Sequence, residues 1–274
     1  MNGSDSIYSI RFCALDIETT GVNPYSDRIV EIGVSAFTIG GERETYRTLV
    51  NPGCPIPQQV VSIHGITDAM VADSPRCETV LPSLIEFIGS SPLIIHNTRF
   101  DLSFLDIECR RAFRTLPSWS SYDTVILSRK TFPEIRNHKL DTLCEHFALP
   151  LEHHRALQDA VGCGEVFRLC VEAADPDRRW TVSDLNAYIG SPDITGFIRE
   201  LPFKERLGVR ITLGKECVIR YVDSEGNTTE RRILPKKIYK KGKHTVIFAY
   251  CYLRNEDRYF KANRIEQVRN DFEC

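Results

Sequence analysis

The chain has 274 residues, 42% of them hydrophobic, and a net charge of −2, enough for one large domain or a medium one with a small companion. No apolar run approaches the roughly 18 residues of a membrane span, and no apolar segment follows a charged one at the start as in a signal peptide. The ten cysteines are scattered without a Cys-x-x-Cys pair, which argues against a disulfide scaffold and predicts a reduced, cytoplasmic protein.

Charge is unevenly spread. From Gly196 onward there are 18 basic and 11 acidic side chains, a net of +7, whereas residues 1–195 carry 17 and 26, a net of −9. An acidic front and a basic tail imply two units with different partners, the basic one suited to a polyanion such as nucleic acid. Ordinary surface charge is the plain alternative.

Phe12 to Gly21 reads as a buried strand ending in a glycine turn. Side chains alternate on a strand, so Asp16 and Glu18 point to the same face. Two carboxylates there repel each other and lose hydration, and a hard divalent cation is the strongest candidate to offset them. Residues 28–39 alternate and are β-branched, a second strand, with Gly40-Gly41 as a hairpin turn and Thr45 to Val50 returning. A proline-rich loop follows, then a loop-to-helix passage from His64 to Asp68 and a short helix from Leu81 to Ile88. Pro92 to Asn97 is another buried strand, and Phe100 to Phe113 has helical apolar spacing. A further element begins at Asp123, and Leu140 to Phe147 and His154 to Val171 read as helices. A strand meander followed by strands alternating with helices predicts a mixed α/β sheet flanked by helices.

Residues 172–195 read as a connector with one short helix from Val182 to Ile189. From Gly196 the pattern becomes a small β-rich module: Cys217 to Val222, a hairpin loop at 223–227, Thr228 to Leu234 ending at Pro235, Thr245 to Leu253, and Arg258 to Lys261.

Two more acids stand where a metal site can use them. Asp101 opens a helix just past a buried strand, and Asp159 lies in the helix after His154. Helical positions five apart differ by about 140°, so His154 and Asp159 cannot share a face. His154 therefore belongs to the loop or first turn before that helix. Four carboxylates exceed the needs of one cation, and two cations about 4 Å apart suit them, as in phosphodiester hydrolysis.

The stretches Asp16-Ile17-Glu18-Thr19-Thr20-Gly21, His96-Asn97-Thr98-Arg99-Phe100-Asp101 and His154-Arg155-Ala156-Leu157-Gln158-Asp159 resemble the three motifs of the DEDD exonuclease superfamily. The His-x-Ala-x-x-Asp form is that of its DEDDh branch, which includes the proofreading epsilon subunit of bacterial DNA polymerase III. Asp27 to Gly33, His64 to Asp68 and His138 to Leu140 agree with the same family, and the resemblance covers residues 8–172. It implies a ribonuclease-H-like fold and a 3′–5′ exonuclease that releases 5′-monophosphates with two Mg²⁺ or Mn²⁺ ions. Asp16 and Asp159 would hold one ion, and Asp16, with outer-sphere help from Glu18 and Asp101, the other. His154 would take the proton of the attacking water, its ordinary pKa lying near working pH. Thr19, Thr20 and Gly21 would bring backbone to the terminal nucleotide, with His64, Asn97 and Phe100 as further substrate contacts. Core packing for Phe100 and a structural hydrogen bond for His64 are the alternatives.

The tail (Val218 to Tyr221, Arg232 to Pro235, Phe248 to Cys251, Arg258 to Ile265) resembles the WYL domain, a small SH3-like β module, with Thr245-Val246-Ile247 in place of the naming Trp-Tyr-Leu. That organisation gives an exonuclease domain at 8–172, a linker at 173–195 and a nucleic-acid-binding domain at 196–274. Arg220, Arg232, Arg258 and Arg264 would line a surface for single-stranded nucleic acid. Lys236 and Lys237, with Lys240, Lys241 and Lys243 around one turn, would add salt-dependent phosphate affinity. The alternatives are a solvated hairpin tip, and arginines paired with Glu256 and Glu266. The leading expectation is cleavage of single-stranded DNA, with a DNA-repair or polymerase partner. RNA cleavage is the second reading, and a ligand-sensing regulator with an inactive nuclease fold the third.

Overall fold

The computed structural model describes residues 2–41, 43–112, 114–149, 155–190, 211, 213–241 and 244–269, and the chain divides into two compact units. The strands of the first are β1 (Phe12–Thr19), β2 (Ile29–Phe37), β3 (Arg43–Leu49), β4 (Leu93–Ile95) and β5 (Ser121–Asp123), in the order β3-β2-β1-β4-β5. The first three form an antiparallel meander, while β4 and β5 run parallel to β1. Parallel strands need crossovers, and α1 (Gln58–His64), α2 (Asp68–Val71) and α3 (Cys77–Ile88) lead into β4 while α4 (Thr98–Arg111) joins β4 to β5; α5 (Thr124–Thr131), α6 (Leu140–His146), α7 (Ala156–Ala174) and α8 (Val182–Ile189) follow the last strand.

Hydrophobic residues fill the sheet's interior. All nine residues of β2 are buried, whereas edge strand β3 exposes Arg43, Glu44 and Arg47, charges that discourage pairing with another sheet. Ala160, Cys163, Val166, Phe167 and Cys170 make one buried stripe on α7, the spacing of an amphipathic helix. Phe167 meets Phe12 at 5.1 Å between ring centroids, and Phe37 and Tyr122 complete the cluster. A side chain at Gly33 would put its Cβ 2.2 Å from the backbone of Ala156 and Leu157. Glycine there lets the start of α7 lie directly on β2.

Three of the differences from the sequence reading bear on the first unit's core, the candidate site and the tail. Helix α3 begins at Cys77 rather than Leu81, because Cys77, Val80, Leu81, Leu84 and Ile88 share one buried face. Helix α7 begins at Ala156 rather than His154, since Arg155 is extended (φ −137°, ψ 119°). Residues 151–154, His154 among them, lie outside the described residues. Helix α8 falls where the sequence placed it, closed by a capping box between Thr181 and Asp184. Its Val182, Leu185 and Ile189 belong to the same core as Phe12 and Phe167.

The second unit holds β6 (Cys217–Val222), β7 (Thr228–Lys241), β8 (His244–Cys251), β9 (Glu256–Lys261) and β10 (Ile265–Arg269). They form one antiparallel sheet in the order β10-β6-β7-β8-β9. Alternation along β6 buries Cys217, Ile219 and Tyr221, and Ile233, Ile247, Phe260 and Val268 join that core. The 223–227 loop is an Asx-type turn in which the Asp223 Oδ1 accepts from the backbone N–H of Glu225 and Asn227 at 2.9 and 3.0 Å. The third difference is β7, which runs through Pro235 instead of stopping there. A register shift between Pro235 and Lys237 absorbs the missing N–H, so Lys236 and Lys237 stand on a strand, not at a turn. Among the described residues, no helix is long and apolar enough to cross a membrane.

A carboxylate cluster as candidate active site

Strand β1 sets the site. Asp16 pairs with Gly33 and Glu18 with Glu31 across the antiparallel ladder, whose register shifts between Glu18 and Thr19. Both acids stand half-buried on one face, as the alternation requires. One carboxylate oxygen from each of Asp16, Glu18 and Asp159 lies within 4.8 Å of the others. Asp101 is buried beside them, and its Oδ1 accepts from the backbone N–H of Ile17, between the two β1 acids, at 3.2 Å.

The electrostatics of this cluster are one-sided. Burial, then repulsion from Asp101, Asp159, Glu18 and Glu31, pushes the Asp16 carboxyl well above the usual range. Burial, then Asp159 and Glu31, pushes Glu18 up to about 8. For Asp101, burial outweighs the backbone N–H groups that favour its charge, and its carboxyl is also raised. Clustered oxygen donors that resist ionising together are a fitting environment for hard divalent cations.

Two further acids place the helices that deliver Asp101 and Asp159. Asp123 accepts from the backbone N–H of Asn97 and Thr98 at 3.3 and 3.0 Å and of Val125 at 2.8 Å, capping the starts of α4 and α5. Asp101 lies in the first turn of α4. Glu31, fully buried, accepts from the backbone N–H of Ala156 at 3.1 Å and from Arg155 at 3.0 and 3.2 Å. Asp159 lies in the first turn of α7. The side chain of His96, in the same motif as Asp101, is tied to Thr124, with 2.8 Å between Nδ1 and Oγ1.

The substrate-contact candidates are placed differently. The buried Thr19 donates its hydroxyl to the Gly21 carbonyl at 2.5 Å, and the Thr20 hydroxyl accepts from Arg28 N–H at 3.0 Å. Both hydroxyls, together with the backbone bond from the Thr20 N–H to the Arg28 carbonyl at 2.8 Å, hold the turn closed. His64 is buried at the end of α1, and its Nδ1 accepts from Ile66 N–H at 3.0 Å, the structural hydrogen bond weighed as its alternative. Asn97 is exposed at a positive φ of 66°, and Phe100 is half-buried with its ring 5.1 Å from Phe104. Val22, directly after Gly21, is 82% exposed. Sequence reasoning passed it over, although an apolar residue on a glycine turn beside two acids was the available signal.

Four of the six predicted cations whose side chains are described in the second unit have acidic neighbours. Arg220 pairs with Glu266 at 3.4 Å, Lys236 with Asp257 at 2.7 Å and Arg258 with Glu256 at 3.3 Å. Arg232 donates to Glu216, which also accepts from the Tyr252 hydroxyl. Lys237 is exposed, with its Nζ 5.9 Å from the Tyr239 ring. A cleft of about 470 Å³ is lined in part by Tyr221, Arg231, Arg258, Tyr259 and Arg264. Arg231, not singled out from the sequence, is buried with its guanidinium 5.5 Å over Tyr221.

A ribonuclease-H-like sheet with acids gathered on its central strand is the architecture of a hydrolytic nuclease. Residues 13–167 match the family described as Exonuclease, of the ribonuclease T type, and the chain belongs to that family. Residues 210–270 match the WYL domain. DNA polymerase III PolC-type of Caldanaerobacter subterraneus subsp. tengcongensis is 35% identical over 192 residues, 70% of this chain and 14% of that protein, so the chain spans a small part of such relatives. E. coli exonuclease I in complex with a dT13 oligonucleotide superposes with a TM-score of 0.55 at 15% identity, over 88% of this chain and 55% of that one. The nuclease domain of 3′hExo, a DEDDh family member bound to rAMP, gives 0.51 at 22% identity, over 61% and 94%. Both likenesses concern the fold.

Proposed function

We propose that this exonuclease removes 5′-monophosphates from the 3′ end of single-stranded DNA by a two-metal mechanism, while its WYL-like unit grips the strand. The observation that carries the reading is the convergence of Asp16, Glu18 and Asp159 within 4.8 Å, with Asp101 fastened between the first two. Asp16 and Asp159 would hold one Mg²⁺ or Mn²⁺, and Asp16, helped by Glu18 and Asp101, would hold a second. Metal held by these carboxylates would supply an acidified water and charge neutralisation at the leaving oxygen. His154 accepts the proton of the attacking water. The Thr19-Thr20-Gly21 turn positions the terminal nucleotide, Val22 packs against its base, and Asn97 and Phe100 flank it, Phe100 by stacking.

The catalytic domain in this reading is residues 8–172, with 173–195 as connector and 196–274 as the gripping domain. Arg220, Arg232, Lys236, Lys237, Arg258 and Arg264 supply phosphate contacts, and tethering raises the effective concentration of strand at the active site. The likeness to DNA polymerase III PolC-type proteins supports work beside a polymerase, in replication or repair.

The test is a gel assay on 5′-labelled single-stranded DNA and the matching RNA, with Mg²⁺, Mn²⁺ or EDTA, for wild type, Asp16→Ala and His154→Ala. A ladder shortening from the 3′ end, faster on DNA and lost with EDTA and in both variants, is the expected result. A faster RNA ladder would reassign the substrate, and no ladder with either ion would overturn the reading.

A further inference from the structure

We infer that Glu31 is a positioning residue of the exonuclease site, acting through Arg155 and the first N–H of α7; the inference rests on the metal-site reading above. Glu31 stands directly across the ladder from Glu18, so a fifth carboxylate has been placed beside four that already repel one another. Its charge raises both Asp16 and Glu18. A buried acid in that location is costly unless it is paired, and the structure shows what it is paired with.

Four donors saturate its two oxygens. Oε1 accepts from Arg47 Nε at 2.8 Å and Arg155 Nη2 at 3.0 Å, and Oε2 from Arg155 Nε at 3.2 Å and Ala156 N–H at 3.1 Å. The Arg155 contact is a two-point fork, which fixes direction as well as distance. Glu31 therefore spends three of these four bonds on the start of α7 and the fourth on Arg47 of β3, and is not a further metal ligand. A glutamine would cap Ala156 equally well and spare the cluster a charge. What glutamine cannot supply is the fork that selects Arg155.

Arg155 is a consequential residue to hold. It is the last extended residue before α7, bonded directly to His154, and Asp159 follows in the first turn. Two residues on, along β2, Gly33 admits the backbone of Ala156 and Leu157 at a distance no other side chain would allow. Glu31 fixes the helix start in direction and Gly33 fixes it in depth. Together they set where Asp159 enters the cluster and where the chain stands one bond from the proposed base. Groups that orient ligands from behind cost ten- to hundredfold in metal affinity or activity when removed.

The experiment compares full-length wild type, Glu31→Gln, Arg155→Gln and the double variant. Mn²⁺ binding is measured by calorimetry and single-strand cleavage by steady-state kinetics, with the melting midpoint recorded for each. Each single variant is expected to bind Mn²⁺ about ten- to hundredfold more weakly and to lose kcat by a similar factor with KM nearly unchanged. The double variant should be no worse than the poorer single one, because both changes break one fork. Wild-type affinity and kcat in Arg155→Gln, or additive losses in the double variant, would overturn the inference. Arg155→Gln decides alone if Glu31→Gln does not fold, since the Arg155 side chain is 32% exposed and Glu31 is wholly buried. A wild type that binds Mn²⁺ but cleaves nothing defeats the functional reading and leaves this one to the binding data.

Discussion

The two units handle charge in opposite ways. In the first, Asp16, Glu18, Asp101 and Asp159 are drawn to one face of a sheet, and burial and mutual repulsion raise the carboxyls of Asp16, Glu18 and Asp101. In the second, Arg220, Lys236, Arg258 and Arg232 each stand beside a glutamate or aspartate. Like charges held together are a cost that folding carries for a ligand still to come. Opposite charges held pairwise cost little, and a phosphate must compete with the acid already there. The first arrangement predicts a demanding metal site, the second a weak, salt-sensitive grip.

The sharpest way to break this contrast is to neutralise the cluster. Asp16→Ala should lower cleavage by more than the roughly 10²–10⁴-fold expected for removing a general base through His154→Ala. Asp16→Asn should also abolish turnover, yet raise the stability of the metal-free protein by about 1–2 kcal/mol, since one repelling charge is gone. Equal or lower stability in thermal unfolding without metal would mean that the acids are not under mutual strain. Gly33→Ala comes next. Its Cβ would meet the Ala156 and Leu157 backbone at 2.2 Å, so it should destabilise by about 1–3 kcal/mol and reduce cleavage by displacing α7. Unchanged melting would show that α7 has room to retreat.

Asp175 sharpens the contrast inside the first unit, as a buried carboxylate treated in the opposite way. Burial pushes its carboxyl up, but the N–H groups of Trp180 and Arg179 and the Tyr8 hydroxyl, at 2.7, 3.1 and 2.8 Å, bring it below the ordinary value. A folded-state pKa below the unfolded one means stability present above the unfolded value and lost as pH falls through the folded one. Asp175→Asn should therefore cost about 1–3 kcal/mol at pH 7. The deficit should shrink as wild type is titrated below its ordinary carboxylate range in denaturant unfolding. A deficit constant with pH would assign it to packing.

What the sequence made legible follows from the range of each interaction. Asp16 and Glu18 were readable because alternation on one strand settles their face, and helix α8 because its cap and apolar spacing lie within ten residues. Glu31 was not readable as a support: its partner Arg155 is 124 residues away, and in sequence it is one polar member of an alternating strand. Pro235 misled because a missing N–H usually ends a strand, and only the register of β8 shows the bulge that accommodates it. Arg231 and Arg232 look interchangeable as neighbours. Strand alternation buries the first over Tyr221 and leaves the second at the surface with Glu216.

That surface pair carries the smallest expected effect and the most direct test of the second unit. Arg232 Nε donates to Glu216 at 2.7 Å, and its guanidinium lies 4.8 Å from the Tyr252 ring. A strand whose phosphate reaches Arg232 must displace or share Glu216. Glu216→Gln should therefore tighten binding of a 30-nucleotide single strand by about two- to fivefold at low salt, with the gain fading as salt rises. Arg232→Ala should weaken binding and flatten the salt dependence by about one charge. Fluorescence-anisotropy titrations at several salt concentrations separate these outcomes. If both variants track wild type throughout, the pair lies off the path of the strand, and the buried Arg231 cleft becomes the place to look for it.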